Sequence, residues 1–143
     1  MNLPILRIGR HPLPLPSYAH PGDAGLDLAA RLDGPRLTLG LGAHVLIPCG
    51  FAFAIPDGHE GQVRPRSSMF KRGLHVALGT IDAGYRGEVL VGVWNFSDES
   101  VDIYHGDRIA QLVIAPVARC EVCEVGELDA TARGAAGFGS TGR

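Results

Sequence analysis

Turn signals divide this chain into pieces too short for long helices. Asp33-Gly34, Asp57-Gly58, Ala83-Gly84 and His105-Gly106 each mark a reversal. Between and around them lie short runs rich in β-branched and aromatic residues, clearest at residues 3–8, 43–47, 51–55, 88–96, 101–104 and 109–117. Short strands at such spacing predict an all-β subunit, a sandwich, jelly roll or barrel. The 20 Gly and 10 Pro among 143 residues argue the same way, because an interior Gly or Pro costs a helix about 1 or about 3 kcal/mol. The length suits one domain, and a chain near this size buries roughly 68–70% of its unfolded surface without disulfides.

Residues 37–56 form a run of twenty without Asp, Glu, Lys or Arg, the length of a membrane span. Gly40, Gly42, His44, Pro48 and Gly50 interrupt it, so it reads as two buried strands broken near Pro48 to Gly50, and no membrane partner is expected. Val89-Leu90-Val91-Gly92-Val93-Trp94 is apolar on both faces and needs cover on both sides, one of which another subunit can supply. A short piece after Ser68 is the one helix candidate. Cys120-Glu121-Val122-Cys123-Glu124-Val125 alternates as a strand does.

Thirteen Lys and Arg against fifteen Asp and Glu give a net charge of −2, which leaves no general nucleic-acid footprint. Lys71 is the single lysine, so the positive charge is carried by arginines, whose planar forks suit phosphate. Three cysteines, Cys49, Cys120 and Cys123, and an N-terminus without a basic and apolar leader fit a cytoplasmic protein. From residue 126 the pattern changes. Residues 130–143 are mostly Gly, Ala, Ser and Thr with one aromatic, Phe138, and read as a flexible Gly-rich C-terminal arm on a core of residues 1–125.

Five stretches could carry chemistry. Gly137-Phe138-Gly139-Ser140-Thr141-Gly142 fits G-x-G-x-x-G, but no strand and helix flank it as a dinucleotide site needs. Its chemistry still stands: glycines let N–H groups wrap an anion, hydroxyls donate to phosphate, and Phe138 offers a face to a base. Pro65-Arg66-Ser67-Ser68 sets a guanidinium beside two hydroxyls. Residues 79–88, Gly79-Thr80-Ile81-Asp82-Ala83-Gly84-Tyr85-Arg86-Gly87-Glu88, read as strand, turn, strand. Residues 21–28 hold Asp23 and Asp27, and residues 106–112 set Gln111 among apolar neighbours. Taken singly, each reads as an ordinary turn or strand entry.

Together and in this order, Ala24-Gly25-Leu26-Asp27-Leu28, Pro65-Arg66-Ser67-Ser68, residues 79–88, residues 106–112 and residues 133–142 resemble the five motifs of the trimeric dUTPase family. The resemblance spans residues 24–142. It implies a jelly-roll β subunit, a homotrimer with shared sites, and Mg²⁺-assisted hydrolysis of dUTP to dUMP and pyrophosphate, which limits uracil in DNA and supplies dUMP for dTMP synthesis. By the same resemblance Asp82 is the base that deprotonates the attacking water, and Tyr85 lies under the deoxyribose. Backbone groups around Val76, Gly79 and Ile81 read the uracil edge. Arg66, Ser67, Ser68 and Gln111 line the phosphates, and Asp27 holds Mg²⁺ through water. Arg133, Gly139, Ser140 and Thr141 close on the terminal phosphates while Phe138 stacks on the base.

Two departures from the family pattern stand out: Ser68-Met69 lies where Gly-Leu is common, and Ala136 where Gly is common. The nearest rival is dCTP deaminase, which shares the fold and an Arg-Ser-Ser segment, but its catalytic glutamate would fall on Gly92. A second rival is a non-catalytic nucleotide-sensing module on the same fold.

Overall fold

The computed structural model describes residues 1–137. Eleven strands and one short helix follow in chain order. They are β1 (Ile5–Arg7), β2 (Gly25–Ala29), β3 (Arg36–Leu39), β4 (His44–Pro48), β5 (Phe51–Phe53) and β6 (His59–Arg64), then α1 (Ser67–Lys71), β7 (Leu74–Val76), β8 (Gly79–Ile81), β9 (Leu90–Asn95), β10 (Val101–Tyr104) and β11 (Arg108–Pro116). Every pairing is antiparallel. The larger sheets run β2-β11-β6-β8 and β4-β9-β7, with the pairs β1-β5 and β10-β3 beside them. This is the all-β, jelly-roll-like architecture that the turn spacing predicts.

One core joins the sheets. Leu26, Leu28, Val63, Ile81 and Leu112 from the four-stranded sheet meet Ile47, Leu74, Val76, Val91 and Val93 from the three-stranded one. Each such side chain contributes about 1.5–3 kcal/mol on burial. β5 is buried at all three residues, which explains its unbroken Phe51-Ala52-Phe53 pattern. The turn glycines Gly58 (φ +73°) and Gly106 (φ +90°) adopt the left-handed backbone that a side chain resists.

Several expectations change. The break near Pro48 to Gly50 does separate β4 from β5, but residues 37–56 also contain most of β3. Residues 85–89 are not strand; β9 starts at Leu90. Residues 120–125 alternate in sequence yet pair with nothing among the described residues and are exposed throughout. Alternation without a partner strand does not make a sheet. Past Val117, whose N–H donates to Gly58 O at 2.8 Å, the backbone bonds in the described residues are local, Gly134 to Thr131 and Ala136 to Arg133. No helix among the described residues is long and apolar enough to cross a membrane.

β9 is covered on one face only. Val91, Val93 and Asn95 point inward, while Leu90 and Trp94 are exposed. Across the sheet Leu46 joins them, and beyond the strand end Phe96 lies 5.9 Å from the Trp94 ring.

The three thiols are free, and only Cys49 is buried. Burial pushes its pKa up from 9.0 to about 11. Since the folded state holds that proton more tightly, the stability it contributes is whole below pH 9 and is lost as pH rises through about 11. At pH 8 a thiol reagent is expected to modify Cys120 and Cys123 quickly and Cys49 only after denaturation. Three equally fast thiols in the native protein would contradict this burial.

Candidate active site

The predicted residues gather in two places. The first forms where β2, β11 and the turn before α1 meet. Asp27 and Gln111 are cross-strand partners on β2 and β11. Gln111 Nε2 donates to Pro65 O at 2.9 Å and so ties β11 to the turn that carries Arg66. A Cβ on Gly25 would crowd the Gln111 side chain, 2.9 Å from its Cβ. Arg66 Nε sits 2.8 Å from one Asp27 oxygen, and Arg108 Nη1 lies 3.0 Å from the other. Arg66 also donates to Arg108 O at 3.0 Å. These residues, with Ser67, His20 and Asp23, line a concavity of about 370 Å³. Ser68 follows, exposed, on α1.

Two arginines and an amide at one concave surface can hold phosphate oxygens by charge-assisted hydrogen bonds. Arg108 was not singled out by sequence: it lies inside a recognised stretch, but only the fold turns it toward Asp27. Asp27 gives one oxygen to each guanidinium, which leaves lone pairs for water. That fits a carboxylate in the outer shell of a hydrated Mg²⁺, not a direct ligand. Among the described residues no group of three or more His, Cys, Asp or Glu could cage a metal. A cation here would therefore be carried mainly by phosphate oxygens and water.

The second place is the splayed hairpin of β7 and β8. The two strands are consecutive in sequence, yet they edge different sheets. Ala77 N bonds Gly92 O and Phe96 N bonds Gly73 O. In an antiparallel ladder bonding alternates, so the N–H and C=O of Val76 point away from β9 toward the open side of β7. The Val76 side chain is fully buried, so this residue can serve a site only through its main chain. β8 ends at Ile81, and Asp82 follows with its side chain exposed. Tyr85 N bonds Asp82 O at 3.0 Å and closes the turn. The Tyr85 hydroxyl donates to Glu88 O at 3.1 Å. Its ring lies across Gly87, where a Cβ would collide with the Tyr85 hydroxyl and ring edge. Gly79, Ile81, Asp82 and Tyr85 line a concavity of about 240 Å³ with Val63, Glu88 and Leu90. Asp82 also faces an adjoining one of about 160 Å³ with His59, Glu60 and Arg119.

These three concavities keep the two groups apart: Asp27, Arg66 and Gln111 line the first, and Asp82 lines the other two. Arg133 stands apart on the exposed segment, its Nε on Ala136 O at 3.0 Å. Phe138, Gly139, Ser140 and Thr141 lie outside the described residues.

Fold and site thus define an all-β protein with an arginine-lined cradle and, separately, an acidic hairpin with open backbone edges. A family model for dUTPase matches residues 11–142. Curated relatives named deoxyuridine 5'-triphosphate nucleotidohydrolase include one from Desulfotalea psychrophila, 58% identical over 133 residues (91% of this chain, 88% of the relative). Another, from Anaeromyxobacter, is 51% identical over 148 residues, covering 100% of this chain and 99% of the relative. Among solved structures, a mutant dUTPase of Staphylococcus bacteriophage 80alpha with dUpNHpp superposes with a TM-score of 0.91 at 26% identity, over 99% of each chain. A mutant dUTPase of phage phi11 of S. aureus, described with a structural Mg(II) ion, gives 0.82 at 24% identity over 91% of this chain and 100% of that one. The chain belongs to the dUTPase family.

Proposed function

We infer that this enzyme hydrolyses dUTP to dUMP and pyrophosphate, and that each site is assembled from neighbouring copies in a homotrimer. The observation that carries the mechanism is the splayed hairpin: open backbone groups at Val76 lie just before Ile81, Asp82 and Tyr85. A base held by fixed main-chain donors and acceptors is selected by its hydrogen-bonding edge, and a mismatched edge leaves those groups unpaired. With uracil at that edge, Tyr85 underlies the sugar and Asp82 faces the α-phosphorus. Asp82 takes a proton from a water that attacks phosphorus, and the pyrophosphate oxygen is the leaving group. Arg66, Ser67, Ser68 and Gln111 of another copy hold the phosphate chain. Phosphoryl transfer needs little beyond such positioning and charge neutralisation. Asp27 would hold the waters of a bound Mg²⁺, which would supply further charge neutralisation at the phosphates.

The two separate groups of site residues support sharing between copies. The exposed apolar face of Leu46, Leu90, Trp94 and Phe96 supports a subunit contact. Residues 126–143 act as an arm that brings Arg133, Phe138, Gly139, Ser140 and Thr141 over bound nucleotide. Free thiols at Cys120 and Cys123 fit a cytoplasmic setting. Pyrophosphate release measured with dUTP, dTTP, dCTP and UTP, with and without Mg²⁺, tests the reading. Release is expected to be far faster from dUTP than from the other three. Ammonia from dCTP would favour the deaminase alternative, against which stands the absence of a carboxylate at Gly92.

A further inference from the structure

Tyr85 is held in place by a clamp that lies outside the recognised motifs on one side. Its hydroxyl donates to the backbone carbonyl of Glu88, so the ring position follows the Glu88 backbone. The Glu88 carboxylate is itself gripped. Arg31 Nε donates to one oxygen at 3.1 Å and Arg31 Nη2 to the other at 3.2 Å, a fork-to-fork pair. Gly50 N–H adds a third donor at 2.8 Å. Both side chains are partly buried, Arg31 at 25% and Glu88 at 17% exposure, so this pair is screened less than a fully exposed one. Each anchor is in turn fixed: Arg31 N bonds Pro48 O at 2.8 Å, and Val89 N bonds Phe51 O at 2.9 Å. Gly87, between Tyr85 and Glu88, has no room for a Cβ under the ring. The chain therefore runs from β2's end through Arg31 and Glu88 to the face of one aromatic ring.

From this geometry we infer that Arg31 and Glu88 are positioning residues for sugar discrimination: they hold Tyr85 tight enough to exclude a 2′-hydroxyl. The inference rests on the proposed assignment of Tyr85 to the deoxyribose. A wall of this kind rejects an added hydroxyl by roughly a hundredfold at best, and only if it cannot move. Loosening it should admit UTP more than it harms dUTP.

The test is the ratio of kcat/KM for dUTP to that for UTP in the full-length protein. It is measured for wild type, Tyr85→Ala, Arg31→Met, Arg31→Lys and Glu88→Gln, with melting temperature alongside. Arg31→Met and Glu88→Gln are expected to lower the ratio about tenfold, mainly by lowering KM for UTP. Arg31→Lys keeps the charge but loses the fork, and should fall between them and wild type. Parallel losses on both substrates, with the ratio intact, would overturn the clamp. If one variant fails to fold, the other two decide by the same ratio. Should Tyr85→Ala leave the ratio unchanged, the sugar assignment of Tyr85 falls, whatever the clamp variants do.

Discussion

Asp82→Asn is expected to abolish turnover of dUTP while leaving its binding nearly intact. The side chain is exposed at the end of β8, facing two adjoining concavities, and no core contact depends on it. An amide keeps the shape and most hydrogen bonds but cannot take a proton from water. Losing a positioned general base typically costs about 10²–10⁴ in rate. The turn should survive, because Tyr85 N bonds the backbone oxygen of Asp82, not its carboxylate. Steady-state pyrophosphate release paired with calorimetric titration of a non-hydrolysable dUTP analogue reads both quantities. A variant that keeps wild-type kcat removes Asp82 as the base.

Ending the chain after Gly126 should leave a folded protein with a melting temperature close to that of the full chain. The described residues beyond Val117 bury almost nothing and make only local backbone bonds. Activity should nevertheless fall about a hundredfold or more. Base–aromatic stacking of the kind assigned to Phe138 is worth about 1–3 kcal/mol. Arg133, Ser140 and Thr141 would add charge-assisted bonds to phosphate, and closure excludes water from the reacting centre. Unaltered kcat/KM in the truncated protein would mean that the arm takes no part. A collapse in melting temperature would mean that it is part of the core.

Most of the architecture could be read from residue order, and the failures share a cause. β5 and β11 carry enough apolar residues to announce themselves. β6 does not, because its inward positions are Gly61 and Val63. Gly61 is there for want of space, with Ile55, Leu112 and Ile81 all within 3.2 Å of a would-be Cβ. Residues 85–89 look like a strand start, but Glu88 is held by Arg31 and Gly50 instead of by a ladder. Residues 120–125 show that period two is necessary and not sufficient. The candidate site divides in the same way. Its residue types stand in recognisable order, yet the pairing of Asp27 with both Arg66 and Arg108, and of Glu88 with Arg31, comes from contacts between distant segments. No local pattern encodes such contacts. The separation of Asp82 from Arg66 and Gln111 within one chain is likewise a property of the folded subunit.

That separation gives the most direct test of the shared-site proposal. Asp82→Asn and Arg66→Ala subunits, each inactive alone, are mixed, dissociated and reassembled. If every site draws its hairpin from one copy and its phosphate cradle from another, about a quarter of the sites in an equimolar mixture pair two intact halves, by random assembly around a closed ring. Recovery of about that fraction of wild-type activity is the predicted result. No recovery, from a mixture proven to exchange subunits, would mean that each chain works alone.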